Sequence, residues 1–110
     1  MQGLRTLVTT QHNAWVHSAA TVAVLVLGAV LGLGRFEWLA LTFAIVSVWA
    51  AEALNTAFEF LCDVASPQFH PLVARAKDVA AAAVLICAVG AVAIAGLVFV
   101  PAIARLVGAN

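Results

Sequence analysis

Charged residues are scarce in this sequence. Of its 110 residues, 9% are charged and 65% are hydrophobic, and the mean hydropathy is +1.13. A soluble domain carries about 25% charged residues, so this chain could not cover its surface with polar groups. The composition predicts an integral membrane protein. The formal net charge is zero, so we expect no nucleic-acid partner.

Cysteine and histidine are also few. Cys62 and Cys87 are far apart in apolar, helix-forming sequence, so we expect buried thiols rather than a disulfide or a metal pair. The three histidines do not have metal-ligand spacing.

Three apolar stretches are long enough to cross a bilayer core about 30 Å thick. The predicted spans are residues 15–33, 36–61 and 79–100. Gly28 and Gly32 form a GxxxG pattern that permits close helix packing. Residues 34–37 are expected to form a tight polar turn, and Pro101 is expected to end the third span.

Residues 1–14 mix polar and apolar side chains. Leu4, Leu7 and Val8 could share one face of a short helix on the membrane surface. We therefore expect an all-α integral membrane protein with one domain over residues 1–110. In it, a short amphipathic surface helix precedes three transmembrane helices.

The remaining charge is concentrated between Glu52 and Asp78, which holds four of the five acidic residues. Spacing of i, i+3, i+7 and i+11 places four polar residues within an arc of roughly 80° on one helix. They are Glu52, Asn55, Glu59 and Asp63. Ionisable groups at the end of an apolar helix are costly, which predicts a functional site. One carboxylate of such a stripe can hold a metal while another accepts a proton.

Pro67 and Pro71 are expected to end this helix and turn the chain. Lys77, at the start of the next apolar stretch, is a point charge of the kind that binds phosphate. A second interpretation stays open for Asp63 and Arg75. These two could simply face water among the lipid head groups.

The depth of Glu52 can be calculated from the second span. Glu52 lies sixteen residues after Phe36, or about 24 Å along a helix axis, which is most of the way across the apolar core. Three spans place the N-terminus and the second connection on the same side. That side has a small excess of basic residues, which predicts that it faces the cytoplasm. The residues compared are Arg5, Arg75 and Lys77 against Arg35 and Arg105.

The central stretch resembles the signature of the prokaryotic diacylglycerol kinase family, which includes the undecaprenol kinases. The matching residues are Glu52-Ala-Leu-Asn-Thr-Ala-Phe-Glu59, then Asp63, then His70-Pro-Leu-Val-Ala-Arg-Ala-Lys-Asp78. The resemblance extends over nearly the whole chain. It implies a homotrimer of three-span subunits in the bacterial cytoplasmic membrane, with active sites at the cytoplasmic interface shared between neighbours. The implied reaction transfers the γ-phosphoryl group of ATP, with Mg²⁺, to the hydroxyl of a membrane lipid, diacylglycerol or undecaprenol.

The resemblance also implies roles for individual residues. Glu52 is the general base on the lipid hydroxyl, Asn55 supports it, and Glu59 binds the magnesium that bridges the ATP phosphates. The implied nucleotide contacts are Lys77, Asp78 and the loop Gln68-Phe69-His70 near the base or sugar.

The sequence departs from the family pattern near its start. Gln11 stands where the family usually has a glutamate that is a second metal ligand. Gln11 can bind a metal through its carbonyl oxygen but brings no charge. Ala14 replaces an aromatic residue and Trp15 replaces an arginine, while Asn13 and His17 are similar to the undecaprenol kinases.

Two other functions remain open. Gln11 favours a catalytically weak or inactive relative that acts as a membrane lipid-binding or assembly protein. Composition alone also permits a small proton-linked transporter that uses Glu52 and Glu59. The adjacent Lys77 and Asp78 and the unbroken second helix count against the transporter.

Overall fold

The computed structural model describes residues 2–5 and 12–108, and the side chains of 2–5 and 14–108. Residues 2–5 lie in a short helix, α1. Three long helices follow: α2 (His12–Leu31), α3 (Arg35–Ala65) and α4 (Pro71–Leu106). Each of the three is long and apolar enough to cross a membrane. There is no strand in the described part of the chain, and the all-α membrane class is confirmed.

The N-terminal boundary differs from the prediction. Helix α2 begins at His12 rather than at residue 15, because no glycine or proline separates the polar residues from the apolar ones. Leu4 is exposed, as a residue on a surface helix can be. Leu7 and Val8, predicted to share its face, lie outside the described residues.

Helices α3 and α4 are longer than a bilayer core requires. Their 31 and 36 residues correspond to about 46 and 54 Å, against a core of about 30 Å. The described chain extends 59 Å along its longest axis. The predicted spans 36–61 and 79–100 are therefore the inner parts of longer helices.

Pro101, which was predicted to end the third span, does not end the helix, because α4 continues to Leu106 with Pro101 inside it. A proline within a helix removes one hydrogen bond and crowds the preceding turn. Buried residues on both sides of it pack into the main apolar cluster and hold the helix together there. That cluster comprises Leu33, Leu41, Val98, Phe99 and Ala102.

The first connection is also shifted from its predicted place. Gly32, with φ +65°, follows the end of α2, and Arg35 already starts α3. The Glu37 Oε1 atom accepts a hydrogen bond from the Gly34 amide at 2.9 Å, which satisfies a free N–H at the helix start. Glu37 Oε2 also lies 3.1 Å from an Arg105 guanidinium nitrogen. This pair joins the start of α3 to the end of α4.

The two glycines of the GxxxG pattern have different roles. A Cβ atom on Gly28 would lie 2.6 Å from Cη2 of Trp38, so this glycine permits the close approach of the Trp38 ring. Gly32 has no atom within 4 Å of such a Cβ. It ends α2, where Leu33 N donates to Gly28 O at 3.3 Å in the pattern typical of a glycine helix end.

Candidate functional site

The predicted polar stripe forms because α3 is unbroken from Arg35 to Ala65. Exposure rises along the stripe. Glu52 is 2% exposed, Asn55 and Glu59 are half-buried, and the side chain of Asp63 is 67% exposed. A carboxylate as buried as Glu52 is costly without a partner. Of the four residues in the stripe, Glu52 is therefore the one that a purely structural role explains least.

The partner of Glu52 comes from a different helix. His17 Nε2 on α2 lies 3.5 Å from Glu52 Oε2, and the His17 side chain is only 18% exposed. The two residues are 35 positions apart in the chain. No pattern along the sequence indicated this contact.

A short hydrogen-bonded chain surrounds that contact. Trp49 Nε1 donates to Thr21 Oγ1 at 3.0 Å, and Thr21 Oγ1 donates to the backbone oxygen of His17 at 2.7 Å. The His17 and Trp49 rings meet edge to face, with centroids 6.0 Å apart and planes at 62°. These contacts join α2 to α3 one turn from Glu52.

Ala14, one turn before His17, is completely buried, so the small residue there has a packing reason.

Asn55 and Glu59 are hydrogen-bonded to each other, with Asn55 Nδ2 donating to Glu59 Oε1 at 3.2 Å. Asn55 Oδ1 and Thr56 Oγ1 are buried and have no hydrogen-bond partner among the described residues. Buried polar atoms normally have a partner. These two atoms therefore mark a place where a ligand, a cation or water can supply the missing contact.

Lys77 is paired with the exposed end of the stripe. Its Nζ atom lies 3.2 Å from Asp63 Oδ1, and the two side chains are 39% and 67% exposed. Exposed ion pairs contribute only about 0–1 kcal/mol, so this contact can open at little cost. Asp78 is exposed on the next position of α4.

The chain turns between α3 and α4 in the segment that contains Pro67 and Pro71, as these two prolines led us to predict. Ser66 caps α3 and its amide donates to Cys62 O at 2.8 Å. His70 caps α4, because its Nδ1 accepts a hydrogen bond from the Leu72 amide at 3.1 Å, and Pro71 occupies the first helical position. Gln68 and His70 are exposed. The capping role of His70 was not predicted. Both cysteines have free thiols; Cys62 is buried, as expected, whereas Cys87 is half-buried.

A cavity of about 310 Å³ lies between α2, α3 and α4. Its walls are almost entirely apolar, and the polar side chains among its lining residues are His17, Thr21 and Trp49. Along α3 it runs from Leu41 to Trp49, which is about 12 Å of helix. His17 lines this cavity and also contacts Glu52. The apolar space and the buried carboxylate are therefore adjacent.

The predicted metal ligands are only partly described. Gln11 lies outside the described residues. Within the described part of the chain, no three His, Cys, Asp or Glu residues are grouped as a self-contained metal site. Glu59 and the unpartnered Asn55 Oδ1 are oxygen donors on neighbouring turns. Magnesium is usually held by one or two carboxylates together with substrate phosphates, so this pair fits a cation that arrives with a nucleotide.

Together, the fold and the stripe define a multi-span helical membrane protein with a cluster of carboxylate and amide side chains in the second half of α3. The sequence matches the model of a protein family described as prokaryotic diacylglycerol kinase over residues 1–99. The chain belongs to this family of lipid kinases. This confirms the resemblance found in the stretch from Glu52 to Asp78.

Two curated relatives are similar to the chain. An undecaprenol kinase of Bacillus subtilis is 39% identical over 92 residues, which cover 84% of this chain and 75% of the relative. A diacylglycerol kinase of Synechocystis sp. is 36% identical over 98 residues, which cover 88% of this chain and 56% of the relative. The match thus spans about half the length of the second relative. No solved structure matches the chain.

Proposed function

We propose that the protein transfers the γ-phosphoryl group of ATP to the hydroxyl of a membrane lipid, diacylglycerol or undecaprenol. The site would lie at the cytoplasmic interface of the bacterial cytoplasmic membrane. One observation carries the proposal: the buried carboxylate of Glu52 adjoins an apolar cavity and shares a helix face with Asn55 and Glu59. A lipid kinase needs these features side by side, because its acceptor is a hydroxyl on a hydrocarbon chain.

Glu52 is the proposed general base. In the reaction, the lipid O–H bond breaks as its oxygen bonds to the γ-phosphorus. The bond from that phosphorus to the β,γ-bridging oxygen breaks, ADP leaves, and the proton passes to Glu52. Phosphoryl transfer otherwise depends on positioning and charge neutralisation. Asn55, three residues along the same face, would help to position the reacting groups.

Glu59 is the proposed magnesium ligand, with Gln11 as the second predicted ligand. The hydrogen bond from Asn55 to Glu59 Oε1 holds the carboxylate beside Asn55, on the helix face that Glu52 shares. Bound magnesium would neutralise charge on the β- and γ-phosphates.

Lys77 and Asp78 are the proposed nucleotide contacts, with Gln68 and His70 near the base or sugar. The support for Lys77 is its weak, exposed pair with Asp63, which leaves the ammonium available to a phosphate. Gln68 and His70 lie in the connection between α3 and α4, and Lys77 and Asp78 lie within the first eight residues of α4. The proposed nucleotide site is therefore a single region of the chain.

The cavity is the proposed location of the lipid chain. Its apolar lining suits hydrocarbon, and its polar end at His17 and Trp49 is next to Glu52. A lipid lying in the cavity would place its hydroxyl at that end. We also propose the homotrimer, which the resemblance to the family implies.

The test is phosphate transfer from γ-labelled ATP by the purified protein in mixed micelles, with magnesium. The acceptors are diacylglycerol, undecaprenol and a sphingoid base, each offered alone. We expect labelled lipid from diacylglycerol or undecaprenol and none without an acceptor. Absence of transfer to every acceptor at saturating magnesium would contradict the proposal and favour the inactive relative.

A further inference from the structure

His17 makes the most buried polar contact described in this chain. Three close contacts join a basic side chain to a carboxylate of another described residue. Those of Asp63 and Glu37 are exposed to water, whereas Glu52 is 2% exposed. A buried carboxylate requires a partner to offset its lost hydration. His17 Nε2, at 3.5 Å from Glu52 Oε2, is placed to supply it.

The His17 ring is itself held in place. Its edge-to-face contact with Trp49 fixes the ring, and Trp49 is in turn held by its hydrogen bond to Thr21. Trp49 and Glu52 lie three residues apart on α3, and His17 and Thr21 lie four apart on α2, so each pair shares one helix face. The orientation of the Glu52 carboxylate therefore depends on how α2 packs against α3.

We propose that His17 is a positioning residue for Glu52. The contact of His17 Nε2 with Glu52 Oε2 holds the carboxylate at the polar end of the cavity, where a lipid hydroxyl would lie. This inference rests on the proposed function, in which Glu52 accepts the hydroxyl proton. His17 takes no proton in the reaction. Because a misplacement of about 1 Å can cost about 100-fold in rate, loss of the contact lowers turnover without removing any reacting group.

The test compares His17→Leu with His17→Gln in the lipid-phosphorylation assay. Leucine fills much of the space but has no donor, whereas the glutamine amide restores an N–H. We expect His17→Leu to lower kcat by about 10- to 100-fold. The KM for ATP should stay within about twofold of the parent value, and His17→Gln should recover most of the loss. Ser18→Leu, the same type of change at the next position of α2, should leave kcat near that of the parent.

A second variant covers the case in which His17→Leu does not fold. Trp49→Phe keeps an aromatic ring beside His17 but removes the hydrogen bond to Thr21. It should lower kcat severalfold with the same unchanged KM for ATP.

Three results would overturn the inference. If the parent is active, near-parental kcat in both His17→Leu and Trp49→Phe would overturn the role of His17 and leave the proposed function standing. An equal loss in His17→Leu and His17→Gln, with matching loss of thermal stability, would reduce His17 to a packing residue. Absence of transfer by the parent would overturn the proposed function, and this inference with it.

Discussion

Substitution of Gly28 by alanine tests the packing of α2 against α3 with a calculable magnitude. A Cβ atom there would lie 2.6 Å and 2.9 Å from two ring atoms of Trp38, nearly 1 Å inside ordinary contact. Such overpacking costs about 1–3 kcal/mol. Alanine also gains about 1 kcal/mol in helix propensity over glycine, so the net effect on the free energy of unfolding is a loss of about 0–2 kcal/mol.

Gly90→Ala is the matched control. A Cβ on Gly90 meets no atom within 4 Å. In this variant, the free energy of unfolding should therefore change only through the higher helix propensity of alanine. The propensity term cancels between the two variants, and their difference, about 1–3 kcal/mol, measures the overpacking against Trp38. Equilibrium unfolding of the two proteins in mixed detergent micelles gives this difference directly. Equal stability of Gly28→Ala and Gly90→Ala would refute the described contact.

Three further predictions concern the proposed magnesium and nucleotide sites. Glu59→Ala should sharply raise the magnesium concentration needed for half-maximal activity or abolish activity, whereas Asp63→Asn should do less; equal magnesium titrations of Glu59→Ala and the parent would contradict the ligand assignment. Gln11→Glu should lower the magnesium requirement, because hard cations prefer charged oxygen ligands; an unchanged titration would remove Gln11 from the metal site. Lys77→Gln should raise the KM for ATP, while Asp63→Asn should not, since only Lys77 is proposed to contact phosphate; equal KM values in Lys77→Gln and the parent would contradict that role.

The stripe on α3 was predictable because it depends only on helix periodicity. Once Glu52 and Glu59 lie on an unbroken helix, their common face follows from 3.6 residues per turn. The rise of 1.5 Å per residue similarly placed Glu52 deep and Asp63 shallow. Burial within the protein falls along the stripe in the same order, from 2% exposure of Glu52 to 67% exposure of the Asp63 side chain, whereas the depth in the bilayer stays a prediction.

The contact between His17 and Glu52 was not predictable in the same way. It depends on the rotation of α2 relative to α3, and each helix has apolar residues on nearly every side. An all-round apolar helix carries little information about which face meets its neighbour. Trp49 and Thr21 set that rotation through a hydrogen bond, and no pattern along the chain relates residues 28 positions apart.

Helix boundaries failed where tertiary contacts outweighed a local signal. Pro101 is a helix-ending signal, yet α4 continues to Leu106 because buried residues on both sides of Pro101 pack into the apolar cluster. Residues 34–37 were predicted to form a polar turn, yet α3 starts at Arg35. Glu37 accepts a hydrogen bond from the Gly34 amide at the start of this helix and contacts Arg105. In both cases the helix boundary is set by contacts with another helix or by a hydrogen bond at the helix end, and the local sequence signal does not show them.

The most direct measurement of the central claim compares two identical substitutions on one helix. Glu52→Gln removes the proposed base, and Glu37→Gln makes the same change at the other end of α3, outside the proposed site. We expect Glu52→Gln to lower phosphate transfer to lipid by about 10²- to 10⁴-fold while the protein still inserts and assembles. Glu37→Gln should retain near-parental transfer. Near-normal turnover by Glu52→Gln would show that Glu52 is not the general base.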